Sequence, residues 1–312
     1  MNRRCAAGTG MEAAYNLYNP MSTPRLKSAV TVRRATPEDA APCGEICYAA
    51  FRKINAHHNF PPDLPEPGAA IGLLSHVFAH PQFFCVVAEQ DGRVVGSNCL
   101  DERSIIAGIG PITVDPEIQN SGVGRALMMA VLERVGDQGK AGVRLVQAAF
   151  HNRSLSLYTK LGFDAREPLS CLQGPGPRKP MDGCRVRAAE ASDLHACNRV
   201  CRAVHGHDRS GEVADAIREG SAVVVERHGR ITGYSTALAF FGHSVGEANL
   251  DLQALISAAD SFGGPGILVP TRNAPLFRWC LESGLRVVQP MTLMSIGLYS
   301  EPTGAWLPSI LF

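Results

Sequence analysis

No Cys-x-x-Cys pair occurs in the 312 residues, although the chain holds ten cysteines. That absence excludes zinc-ribbon spacing and the dithiol redox motif. Cys43 with Cys47, and Cys197 with Cys201, stand at helical spacing and read as small apolar residues on one helix face. His76 and His80 lack the intervening glutamate of a zinc helix, so no metal is expected. No apolar run approaches the roughly 18 residues a membrane helix needs. The N-terminus starts basic but has no continuous apolar core, so no signal peptide is read. Residues 1–28 are expected to be a flexible tail, with Met11 and Met21 as alternative starts. Charge of one sign is missing too: 30 Lys and Arg against 29 Asp and Glu leave a formal net charge of +1. That argues against a large nucleic-acid footprint. The expectation is a cytoplasmic protein with no membrane or nucleic-acid partner.

What is present is an ordinary globular composition, 45% hydrophobic and 19% charged, in a chain long enough for two domains. The chain also matches itself. "VRRATPEDAAPCGEIC" from Val32 aligns with "VRAAEASDLHACNRVC" from Val186. Each reads as a short strand and then a helix, with Thr36 and Ser192 marking the helix starts. "CVVAEQDGRVVGSN" from Cys85 aligns with "AVVVERHGRITGYS" from Ala222, and both read as hairpins. "LGFDAREPLSCL" from Leu161 aligns with "SGLRVVQPMTLM" from Ser283. Three matches in the same order indicate a tandem duplication of one mixed α/β domain. The expected domains are 29–172 and 184–298, joined by a Pro/Gly linker at 173–183. A C-terminal tail, 299–312, is expected to pack back through Trp306, Ile310, Leu311 and Phe312.

Within the first copy, "ITVDPEIQNSGVGRALMMAVLERV" spans residues 112–135. A β-branched strand over 109–114 is stopped by Asp115-Pro116. A helix with an apolar face follows over 125–138. "QNSGVG" therefore joins a strand to a helix N-terminus, where free N–H groups and the helix dipole favour a phosphate. It is neither a Walker A loop nor a dinucleotide fingerprint, since Gly-Lys-Ser/Thr is missing and Leu127 replaces the third glycine.

Val114, Pro116, Gln119, Gly122 and Gly124, followed by that helix, resemble motif A of the GCN5-related N-acetyltransferases. "RSLSLYTKLGF" at 153–163 resembles that family's motif B. The resemblance covers about residues 30–170 and reaches the second half by fold only. It implies an α/β (α+β) fold of tandem acyl-CoA N-acyltransferase domains, each a mixed, mostly antiparallel sheet flanked by helices. Two parallel strands would splay to admit the pantetheine arm of acetyl-CoA, the acyl donor. Ile112, Thr113 and Val114 would pair with its amides. Gln119, Asn120, Ser121, Gly122, Val123 and Gly124 would hold its pyrophosphate, with Arg125, Asn152 and Ser154 as further contacts.

The resemblance places Tyr158 as general acid for the leaving thiolate. His151 stands where the family usually has Asn, and as an imidazole it is a candidate proton carrier near neutral pH. The strand before the loop carries no acid, so Asp101 and Glu102, further upstream, are the candidate bases. The loop-rich stretch 51–68 offers His57, His58, Phe60 and Asp63 for the acceptor. The second copy has no Q-x-x-G-x-G loop and holds Trp279 and Cys280 near the tyrosine position, so it is expected to shape the acceptor site or an interface. The function read is transfer of an acetyl group to a primary amine of a small molecule or peptide, with a homodimer among the expected assemblies. A non-catalytic acyl-CoA-binding regulatory protein is the alternative.

Overall fold

The computed structural model describes residues 29–311, so the expectations for 1–28 and for Phe312 lie outside the described residues. The first half runs β1 (Thr31–Arg34), α1 (Ala40–His57), α2 (Pro67–Ala79), β2 (Phe83–Gln90), β3 (Arg93–Asp101), β4 (Ile106–Ile109) and β5 (Thr113–Val114). It continues with α3 (Val123–Asp137), β6 (Gly142–Ala148), α4 (Asn152–Lys160) and β7 (Asp164–Gln173). The second half repeats the pattern: β8 (Arg185–Ala188), α5 (Leu194–His205), α6 (Ser210–Arg218), β9 (Val223–Arg227), β10 (Arg230–Ser235) and β11 (Ser244–Gly246). Then come α7 (Asn249–Ala258), β12 (Ile267–Pro270), α8 (Ala274–Glu282), β13 (Arg286–Gly297) and β14 (Ala305–Leu307).

The fold is mixed α/β with mostly antiparallel sheets flanked by helices, as the resemblance implies. Both aligned hairpins form, β2–β3 and β9–β10. Each turns on two residues in the left-handed region, Asp91-Gly92 and His228-Gly229, the geometry that matches strand twist. The strand expected over 109–114 is broken instead, ending as β4 at Ile109 and resuming as β5 at Thr113. Pro111 has no N–H to give to a ladder, and Gly110 N–H turns to the Cys99 carbonyl at 2.9 Å. The second helix start also differs. Glu190, not Ser192, caps the turn, its N–H donating to Asp193 Oδ2 at 2.8 Å.

Strand order exposes the relation between the halves. The larger sheet runs β1-β2-β3-β4-β6-β13-β7-β12, with β5 paired to β3. β13, from the second half, lies between β6 and β7; β7, from the first half, lies between β13 and β12. Each half thus contributes a late strand, β7 or β13, that pairs with strands of the other. The remaining strands form the second sheet, β14-β11-β10-β9-β8. Strands from both sides of 173–183 interleave, so two domains divided there remain a proposal about sequence. The C-terminal stretch does pack back: Trp306 is buried, and β14 pairs with β11.

Candidate active site

The site begins where two parallel strands part. β4 and β6 pair at Ile106↔Gly142, Ala107↔Val143 and Gly108↔Arg144. Beyond this, β5 stays with β3 and makes no pairing with β6. Between the diverging chains opens a cleft of about 700 Å³. Gly96 lets β3 approach this closely, because a Cβ there would stand 2.6 Å from the Thr113 carbonyl oxygen.

The loop from Asp115 to Gly122 turns the chain into α3. Asn120 and Gly122 take φ of +70° and +96°, conformations suited to asparagine and glycine. Gly122 caps the helix with no side-chain hydrogen bond. The first helical bond is Ala126 N–H to the Gly122 carbonyl at 3.0 Å. The N–H groups of Val123, Gly124 and Arg125 therefore find no acceptor among the described residues, the ordinary state of an open helix N-terminus. Ile112, Thr113, Val114, Gln119, Asn120, Ser121, Gly122, Val123, Gly124 and Arg125 all line the cleft. Arg153 and Lys53 line it too and add cations, Arg153 Nη1 reaching Asn120 Oδ1 at 3.4 Å.

α4 brings the opposing wall. Tyr158 is buried, its ring edge-on to Phe163, and its hydroxyl has no hydrogen-bond partner among the described residues. Burial pushes the phenol above its usual value, so it stays protonated. Ser154 Oγ lies 3.0 Å from Gln147 Oε1 and 2.9 Å from the His151 carbonyl. The Nε2 of Gln147, Oγ1 of Thr113 and Oγ of Ser121 are buried without partners, and all three residues line this cleft. Buried polar atoms left this way point to a ligand that completes them.

His151 lines the cleft at the N-terminus of α4, but not as the sequence reading expects. Burial, with Arg153 adding to it, pushes its imidazole down to about 4. It is neutral at pH 7 and does not titrate near neutrality.

Asp101 and Glu102 are not brought to the cleft, which corrects their reading as candidate bases. Asp101 is clamped by Arg103 at 2.6 Å, and Arg103 reaches on to Asp215 of α6 at 3.1 Å. Glu102 pairs with Arg134 of α3 at 2.7 Å. Both carboxylates serve ion pairs and neither lines the cleft. Of the acceptor candidates, His57 and Asp63 line the cleft. His58 and Phe60 do not; they pack on Phe150, Phe60 stacked at 4.2 Å and His58 tilted at 5.3 Å. Asn152, expected as a cofactor contact, is exposed and is not part of the lining.

Residues distant in sequence close the cleft. Phe240, Phe241, Met291, Ile310 and Leu311 line it. Ile310 is held by its N–H donating to the Phe240 carbonyl at 2.8 Å. Sequence periodicity carries no signal for such contacts. Gln147 was accessible in principle, as a polar residue near the end of a mostly apolar strand that also carries Arg144.

The corresponding place in the second half is filled. Only Glu247 and Ala248 separate β11 from α7, so no loop forms. β14 pairs along β11, Val245 opposite Trp306, and Ala305 and Leu307 share a core with Ile267 and Val269 of β12. The chain's own strand thus lies where β11 and β12 part. Trp279 and Cys280 pack into that same core.

Residues 48–163 match the profile of the Acetyltransferase (GNAT) family. A mycothiol acetyltransferase of Cellulomonas flavigena is 28% identical over 206 residues, covering 56% of this chain and 54% of its own length. The chain therefore spans about half of that relative. A Pyrococcus horikoshii structure, whose own acetyltransferase assignment is provisional, superposes with a TM-score of 0.67 at 18% identity, covering 90% of this chain and 93% of that one. A tandem GNAT protein from the clavulanic acid biosynthesis pathway superposes at 0.55 and 13% identity, covering 86% and 98%. The family match falls on residues 48–163, in the first half, and the likeness to the tandem GNAT protein is one of fold.

Proposed function

We propose that the chain is an acetyl-CoA-dependent N-acetyltransferase that moves the acetyl group directly to a primary amine, with one productive site per chain, in the first half. The observation that carries this reading is a single cleft with donors at both ends of the required chemistry. The free N–H groups at the start of α3, with Arg125 and Arg153 beside them, suit a pyrophosphate. The protonated phenol of Tyr158 suits a departing thiolate. Between them, β5 keeps one backbone edge free of β6 for the pantetheine amides. Thr113, Ser121 and Gln147 supply the polar atoms that await partners. No covalent acyl-enzyme is needed: Cys47, the cysteine in the lining, is fully buried, and burial pushes its thiol up to about 12.

The test is calorimetric titration of acetyl-CoA and of CoA, with Gly124→Trp as control. One site per chain, abolished in the variant, supports the assignment. Two sites would overturn the reading of the second half. Binding without turnover of any amine would favour the non-catalytic acyl-CoA-binding alternative.

A further inference from the structure

We infer that Asp63 receives the acceptor's ammonium group and takes its first proton, and that the acceptor is a compact primary amine on an apolar body. The inference rests on the acetyltransferase reading of the cleft. Asp63 lies between α1 and α2 and is the only carboxylate among the described lining residues. No Arg, Lys or His among the described residues forms an ion pair with it. Its Oδ1 accepts a 2.7 Å hydrogen bond from Nε2 of Gln289, a buried residue of β13 that lies 226 positions away in the chain.

Asp63 is half-buried, and a carboxylate partly withdrawn from water without a cation is destabilised, a cost that a charge-bearing ligand removes. The titratable groups that act on Asp63 or feel its charge do not provide one. Cys47 of α1 and Cys171 of β7 are thiols that burial pushes up to about 12, so both are neutral. Burial raises the Asp63 carboxyl as well, which makes it a better proton acceptor than a surface aspartate.

Apolar lining accompanies it: Leu64, Leu73, Phe240 and Met291. The other charged lining residues are the cations Lys53, Arg125 and Arg153. A polyamine or a basic peptide would bring several positive charges to a cleft with one acid. A single ammonium on a hydrocarbon body matches what the walls offer.

Asp63 takes one proton from the ammonium and becomes a carboxylic acid. The freed amine nitrogen attacks the thioester carbonyl; the C–N bond forms and the C–S bond breaks. The thiolate takes the Tyr158 proton, the second proton leaving nitrogen restores the phenol, and Asp63 returns its proton to water. Gln289 is a positioning residue that holds the carboxylate.

The experiment uses the full chain and follows thiol release from acetyl-CoA with 2-phenylethylamine, hexylamine, spermidine and a lysine-containing hexapeptide. The two apolar amines are expected to exceed spermidine and the peptide in kcat/KM by about tenfold or more. Asp63→Asn, nearly isosteric, is expected to lose about 100-fold in kcat/KM, with acetyl-CoA affinity by calorimetry unchanged as proof of folding. Asp63→Glu should recover part of the loss. Gln289→Leu is expected to raise KM more than it lowers kcat. Wild-type kinetics in Asp63→Asn, a preference for spermidine or the peptide, or acetyl-CoA binding with no turnover of either apolar amine would overturn the inference. Failure of the wild-type chain to bind acetyl-CoA would instead overturn the acetyltransferase reading beneath it.

Discussion

Arg187 clamps Asp193 with contacts of 2.6 and 3.0 Å, and the first half repeats the clamp with Arg33 on Asp39 at 2.7 and 2.8 Å. Each arginine also reaches a hairpin glutamate, Glu226 and Glu89, at equivalent places in the two copies. Each aspartate caps the chain N–H three residues before it. Asp39→Ala and Asp193→Ala each remove a cap from a helix start, so each is expected to cost about 1 kcal/mol, measured by urea unfolding. The arginines hold both carboxyls below their ordinary value. That stability is present above the unfolded value of about 3.9 and is lost as pH falls through the depressed one.

Two histidines predict a loss of stability at milder acidity. Burial pushes His151 and His207 down to about 4 from 6.5. Between those values the unfolded chain binds more protons, so stability falls as pH falls from 6.5 towards 4. The slope approaches about 1.4 kcal/mol per pH unit for each histidine. Urea midpoints at pH 7 and pH 5 should differ accordingly, and His151→Gln should remove its own share of the dependence while His207 keeps the rest.

At Gly124 a Cβ would stand 3.6 Å from Leu157 Cδ2 and 3.7 Å from Val114 Cγ2, ordinary contact distances. Gly124→Ala is therefore expected to fold and to keep CoA affinity within about threefold. Gly124→Trp would fill the cleft at the loop and abolish binding. Equal affinity in the tryptophan variant would remove the pyrophosphate from this loop.

Tyr158→Phe keeps the ring against Phe163 and removes a hydroxyl that has no protein partner. Stability should change by less than about 1 kcal/mol. Turnover should fall by about 10² or more while acetyl-CoA affinity holds. Unchanged turnover would exclude the phenol as proton donor.

A chain ending at Gly183 retains β6 and β7 but lacks the strand that joins them. One edge of β6 and both edges of β7 are then left without partners. The fragment is expected to associate or aggregate, as sedimentation velocity would show. A monomeric fragment with a cooperative melt would contradict the interleaved sheet.

The loop at 119–124, its strand and its helix were legible because glycine, proline and apolar period act locally. The repeat was legible because its paired arginines, aspartates and turns sit at matching positions. The exchange of β7 and β13 was not legible, since a buried strand's composition does not name its neighbours. Asp101 and Glu102 misled for a related reason: Arg134, which holds Glu102, and Asp215, which shares Arg103 with Asp101, meet them only in the fold. Asp63 stood among the acceptor residues in the sequence reading, but its partner Gln289 belongs to another strand of the folded sheet. His151 was read at its ordinary titration, which burial overrides.

The exchanged strands also bear on how a worn copy survives. A duplicated half that loses its loop would ordinarily be free to vanish. Here the first half borrows β13, and lends β7 in return, so neither half can be discarded without unravelling the other's sheet. The second half is retained as architecture after its own slot has been sealed by β14. Through Phe240, Phe241 and Met291 it also forms part of the wall of the first half's cleft. The internal repeat thus persists as mutual dependence of the two halves within one sheet.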